Sequence, residues 1–170
     1  MIVKYISSAC LQIKTSDICI LTDPWFTQGI FDGAWFSFPH INDPFDFIDE
    51  PDYIYVSHIH PDHYDPEFIH KIFQKFGPKP IIIPDFQKNY LFLKGKADGL
   101  DLIPTRELHV GKTSIFIEEN ETGSISDIDS ALVVHDAKFK KTILNLNDCI
   151  FNDPHVKKLK NIIRNLTTEL

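Results

Sequence analysis

The run Tyr53-Ile54-Tyr55-Val56, followed by Ser57-His58-Ile59-His60-Pro61-Asp62-His63-Tyr64-Asp65-Pro66, constrains this chain more than any other segment. A near-continuous apolar run suits a strand buried on both faces. Asp65 and Pro66 read as the N-cap and first residue of a helix. Its apolar stripe is Phe68, Ile69, Ile72, Phe73 and Phe76, and Gly77-Pro78 ends it. Between strand and helix, three imidazoles and a carboxylate share one tight loop. Neutral imidazole and carboxylate oxygen are good ligands for zinc, iron or manganese. His58 and His60, two apart at the end of an extended segment, can point the same way. Asp62 and His63 lie past a proline-forced turn and can address a second ion beside the first. The competing reading is a chance cluster of exposed or core histidines; the order and density of ligand types favour the metal.

The rest of the chain supplies a strand-rich frame for this loop. Met1–Ile6, Cys10–Lys14 and Ile18–Leu21 read as strands joined by two hairpins, the third ending at Asp23 because Pro24 cannot donate to a ladder. Trp25 to Pro51 is a long irregular stretch holding both tryptophans and several phenylalanines. A loop of that length is functional or disordered, and its aromatic content argues against disorder. Its aromatics either wedge the loop onto the core or wall a pocket. Pro80–Pro84, Leu100–Ile103, Thr113–Ile117, Ser130–His135 and Thr142–Leu146 read as further strands, with Asp136-Ala137-Lys138 a turn between the last two. A second helix starts at Asp153-Pro154 and carries Val156, Leu159, Ile162, Ile163 and Leu166 on one side. Strands with helices added outside indicate an α/β (α+β) fold, and 170 residues suit one domain, 1–170.

Composition narrows the function classes. The 17 Lys+Arg against 24 Asp+Glu give a net charge of −7, which disfavours nucleic acid, and no basic run marks a membrane surface. No apolar stretch approaches the roughly 20 residues of a membrane span. Cys10, Cys19 and Cys149 are odd in number and widely spaced, as expected of reduced, buried thiols in a cytoplasmic protein.

His58-Ile59-His60-Pro61-Asp62-His63 resembles the HxHxDH signature of the metallo-β-lactamase superfamily, in the expected place between a buried strand and a helix. Ile20-Leu21-Thr22-Asp23-Pro24 matches the family's early strand ending in Asp. Asn145-Leu146-Asn147-Asp148-Cys149 matches the late strand whose Asp bridges two metals. Asp-Pro-Trp-Phe, Gly33–Phe36 and Asn-Leu-Asn-Asp-Cys look closest to the branch holding lactonase-like hydrolases and relatives of CMP-N-acetylneuraminate hydroxylase. The resemblance implies an αββα sandwich. It implies that His58 and His60 hold a first metal, that Asp62 and His63 hold a second, and that Asp148 bridges them. Asp62 would also accept a proton from the attacking water, and Asp23 would orient the histidine loop rather than bind metal. The reaction would be metal-assisted hydrolysis of a small polar substrate, with zinc the leading cofactor and iron or manganese open.

Two departures from the family pattern stand out. The third histidine of the first site is missing: Ile115–Asn120 offers only Glu118 and Glu119, which read better as an exposed acidic turn than as substitute ligands. His109 and His135 read as surface histidines, and His40, His70 and His155 lack ligand spacing. The family's last histidine ligand comes from a second half of the fold, whereas this sequence ends at Leu170. It is therefore expected to be the N-terminal portion of the fold, incomplete at its C-terminus, with an apolar patch open to self-association or to a partner chain. The alternative to a hydrolase is a truncated, catalytically inactive metal-binding or interaction module. An oxidative role with iron at the same site is a third reading.

Overall fold

The computed structural model describes residues 1–120, 129–150 and 152–168. Among the described residues, ten strands form two sheets. The first takes β1 (Ile2–Ser7), β2 (Cys10–Lys14), β3 (Cys19–Thr22), β4 (Tyr53–Tyr55), β5 (Ile81–Ile83) and β6 (Leu102–Pro104) in sequence order. Its first three strands are antiparallel and joined by hairpins, and from β3 to β6 the pairing is parallel. The second sheet runs β10 (Lys141–Asn145), β9 (Ser130–Asp136), β8 (Thr113–Glu119), β7 (Glu107–Val110), all antiparallel. Helical segments are α1 (a single turn, Ile30–Gly33), α2 (Pro66–Phe76), α3 (Tyr90–Ala97) and α4 (Asp153–Thr168).

Successive strand residues face opposite sides of a sheet, and the core divides accordingly into three layers. Leu21, Ile54, Val56, Ile81 and Ile83 point outward against Phe68, Ile69 and Ile72 of α2 and Leu91 of α3. Their neighbours Ile20, Tyr55 and Ile82 point inward and meet Ile115, Ile117, Leu132 and Val134 of the second sheet. Ala131 and Val133, on the far face of β9, pack against Leu159, Ile162 and Ile163 of α4. Helix, sheet, sheet, helix is the layering of the αββα sandwich. Among the described residues no helix is long and apolar enough to cross a membrane.

Helix α2 has the predicted bounds. The Asp65 carboxylate accepts from Phe68 N at its N-terminus, and Gly77 leaves the helix with φ 78°. Helix α3 was absent from the sequence reading because Tyr90, Leu91, Phe92 and Leu93 are consecutive, without helical spacing, and Gly95 sits in its interior. Gly95 is there for space: a Cβ would run into Cδ1 and Cγ of Leu102. Overpacking costs about 1–3 kcal/mol. That exceeds the roughly 0.5–1 kcal/mol alanine gains over glycine within a helix. Gly95→Ala is expected to lower the urea unfolding midpoint; an unchanged or raised midpoint would mean that Leu102 gives way.

The Trp25–Pro51 stretch packs some of its rings onto the core, as the first of the two readings expects, and leaves others in solvent. Trp25 is buried, and Phe26 and Phe45 lie against Phe68 with ring centroids 4.5 and 5.3 Å away. Trp35, Phe36 and Phe38 face solvent. The backbone of Phe26 and Thr27 donates to Asp65 Oδ2 at 3.0 and 2.8 Å, so the helix cap also anchors the start of this stretch.

Candidate metal centre

The site is built where β3 and β4 end side by side. Asp23 N donates to Tyr55 O at 2.8 Å, and Asp23 turns out of β3 with φ 38°, a left-handed value that aspartate tolerates better than most residues. That turn buries the Asp23 carboxylate under the histidine loop. Oδ1 accepts from Ser57 N at 2.7 Å, while Oδ2 accepts from Ser57 Oγ at 2.8 Å and faces His63 Nδ1 at 3.1 Å. The loop closes as a turn, with His63 N and Tyr64 N both donating to His60 O.

These bonds fix the imidazole faces. Ser57 Oγ gives its one proton to Asp23, so His58 Nδ1, 3.0 Å from Ser57 Oγ, must be the donor in that pair. The Nε2 lone pair of His58 is thereby turned towards the cluster. His63 Nδ1 donates to Asp23, which turns its Nε2 the same way. Burial, together with the charges of His63 and His60, pushes the His58 pKa down to about 2, so the ring is neutral and fit to coordinate. Burial also works against protonation of His63, but its hydrogen bond to Asp23 and the charges of Asp23, Asp148 and Asp62 outweigh it and raise its pKa.

The predicted ligands come together. His58 Nε2 lies 2.9 Å from His60 Nδ1 and 3.9 Å from Asp148 Oδ2. His63 Nε2 lies 3.5 Å from the same Asp148 oxygen and 3.6 Å from Asp62 Oδ2. One ligand atom from each of His58, His60 and Asp148 fits within a 4.8 Å group. Two ligands held tetrahedrally at about 2.0–2.1 Å from one ion stand about 3.3 Å apart. The observed separations bracket that value, so donor chemistry and spacing both fit a divalent metal. Asp148 Oδ2 is within 4 Å of both His58 and His63, and Asp23 touches His63 from behind.

The other residues fall elsewhere. Glu118 pairs with Lys158 at 2.9 Å and Glu119 with Arg106 at 3.3 Å, on β8 and apart from the histidines. His109 is a surface residue bonded to Glu107 and Ser114. His135, expected at the surface, is buried and faces Thr142 Oγ1 at 2.9 Å, since β9 runs between β10 and β8 and places Thr142 and Ser114 on either side of it. All three cysteines are free and buried; burial, aided by Asp52, pushes the Cys19 thiol up to about 11. An open cleft beside Asp62, His63 and Asp148 is lined by Ser8, Ala9, Leu11, Asn145 and Asn147. Of the two readings of the aromatic stretch, walling a pocket is not met at this cleft: Phe26 and Phe45 pack against α2, and the described cleft lining comes from other segments.

The sequence reading missed Asp129. Its Oδ1 lies 3.6 Å from His58 Nε2, at the mouth of β9. No ligand spacing marks it; the available cue was an acidic residue opening a fully buried strand.

Fold and site together define a metal-binding domain of the αββα class. A family model described as beta-lactamase superfamily domain matches residues 2–125, and the chain belongs to the metallo-β-lactamase superfamily. It is 29% identical over 122 residues to a cytidine monophosphate-N-acetylneuraminic acid hydroxylase of Asterias rubens, covering 70% of this chain and 18% of that protein. A protein of Mycolicibacterium smegmatis whose name describes a Rieske 2Fe-2S iron-sulfur protein is 34% identical over 87 residues, 51% of this chain and 16% of that one. Among solved structures, an isothiocyanate hydrolase from Delia radicum gut bacteria superposes with a TM-score of 0.68 at 20% identity, covering 93% of this chain and 66% of the other. The chain thus spans less than a fifth of the length of these two relatives.

Proposed function

We propose that this domain binds two divalent ions and belongs to a line of metal-dependent hydrolases acting on a small polar substrate such as a lactone, a phosphoester or a nucleotide-sugar-like group. The observation that carries this reading is the position of Asp148 Oδ2, 3.9 Å from His58 Nε2 and 3.5 Å from His63 Nε2. His58 and His60 would hold the first ion, Asp62 and His63 the second, and Asp148 both. Bound ions would supply a water ionised near neutral pH and polarise the scissile carbonyl or phosphoryl group. Asp62 Oδ2, 3.6 Å from His63 Nε2, is placed to take the proton of the attacking water. Asp23 keeps His63 Nε2 facing inward. The Asn145 and Asn147 side chains line the cleft and offer amide donors and acceptors to a polar substrate.

A second reading is favoured by the relatives' names: the domain would hold metal within a larger oxidising protein, without hydrolysing anything itself. Elemental mass spectrometry on the purified chain, followed by a lactone and phosphoester panel, separates the two. Two equivalents of zinc, iron or manganese with turnover supports the hydrolase. Stoichiometric metal without turnover supports the second reading, and absence of metal overturns both.

A further inference from the structure

We propose that Asp129 supplies a third protein ligand of the first metal site, beside His58 and His60. The inference rests on the metal-centre reading above. His58 Nε2 faces Asp129 Oδ1 at 3.6 Å, His60 Nδ1 at 2.9 Å and Asp148 Oδ2 at 3.9 Å, so donor atoms of three other residues stand within 4 Å of that nitrogen. Asp129 Oδ1 is itself shielded from solvent, unlike a surface carboxylate that happens to lie nearby.

The backbone holds Asp129 at that point. Its carbonyl accepts from Asn120 N at 2.9 Å, which ties it to the end of β8. The next residue, Ser130, donates through Oγ to Ser57 O at 2.8 Å and meets the Tyr55 hydroxyl at 2.8 Å. Asn147 Nδ2 donates to Ser130 O at 3.2 Å. The start of β9 is therefore fastened to the histidine loop on one side and to the Asp148 turn on the other. Glu118 and Glu119 are held by Lys158 and Arg106 instead.

Exchanging an imidazole for a carboxylate has a chemical consequence. With Asp148, the first site becomes two imidazoles and two carboxylates, a set that suits iron(II) and manganese better than three imidazoles and one carboxylate do. Its preference for zinc over manganese is correspondingly reduced.

The test uses the full chain stripped by a chelator, with zinc and manganese affinities read by competition against a chromophoric chelator and ligand geometry read from cobalt(II) absorption. Asp129→Asn is expected to weaken zinc at the first site by about 100-fold or more, beyond the range seen when only an outer-shell partner is lost. Asp129→His is expected to bind zinc at least as tightly as wild type, with altered cobalt bands and a larger zinc-to-manganese ratio. Glu118→Gln should stay within about twofold of wild type. Zinc affinity within about twofold of wild type in Asp129→Asn overturns the proposal. Should that variant fail to fold, unchanged cobalt bands in Asp129→His overturn it equally. His60→Ala separates this failure from a larger one: if it loses zinc while Asp129→Asn keeps it, only the role of Asp129 falls. If neither variant loses zinc, the metal-centre reading falls with it.

Discussion

His60→Ala is expected to leave a folded protein that no longer retains metal at the first site. His60 is exposed and its ring meets the cluster through Nδ1, 2.9 Å from His58 Nε2, so truncation removes a donor without opening the core. Surface substitutions away from packing contacts change stability by only about 0.5 kcal/mol. Losing a direct ligand costs more affinity than the 10–100-fold typical of an outer-shell partner. After dialysis, elemental mass spectrometry should find the first-site ion lost, with at most one of the two wild-type equivalents left, and the far-UV circular dichroism unchanged. Both equivalents retained in this variant would remove His60 from the site.

Asp23→Ala should act in the opposite order, on stability first and on metal second. The carboxylate is fully buried and holds Ser57 N, Ser57 Oγ and His63 Nδ1 at 2.7, 2.8 and 3.1 Å. Its removal strands buried donors and leaves His63 without the partner that sets its tautomer. Breaking a buried charged network of this kind costs about 3–5 kcal/mol. The metal-free variant should lose about that much in urea unfolding, and zinc affinity should fall a further 10–100-fold through loss of the ring's orientation. Asp23→Asn keeps the shape and one acceptor, so its loss should be smaller. A stability change in Asp23→Ala below about 0.5 kcal/mol would mean that Ser57 and His63 find other partners.

The parts of this molecule that sequence revealed are those governed by local rules. The α2 bounds follow from Asp65, Pro66 and Gly77, and the three hairpin strands from their apolar runs and turn residues. His58, His60, Asp62 and His63 sit within six residues, so their spacing alone announces a site. What stayed hidden depends on distant partners. Helix α3 exists because Leu102 accepts Gly95, and nothing within Tyr90–Ala97 records that contact. His135 is buried on a strand flanked on both sides, by β10 and β8. Asp129 joins His58 across 71 residues of chain, through a sheet pairing that no short motif encodes. The aromatic stretch was half legible: hydrophobicity says that some rings pack, but only the position of Phe68 decides that Phe26 and Phe45 do and Phe38 does not.

Each of the two sheets owns part of the site. The histidine loop hangs from β4, whereas Asp129 opens β9 and Asp148 follows β10. At this end of the molecule Ser130 bonds across the gap to the Tyr55 hydroxyl and to Ser57 O. A cation gripped from both sides would be a non-covalent cross-link between the layers. Its binding free energy would add to their cohesion, by about 4 kcal/mol at a thousandfold excess over Kd. The same ion would also neutralise the mutual repulsion of Asp62, Asp129 and Asp148. Cohesion of the sandwich would then follow metal supply, so a chain starved of its ion would be a looser object with the same topology.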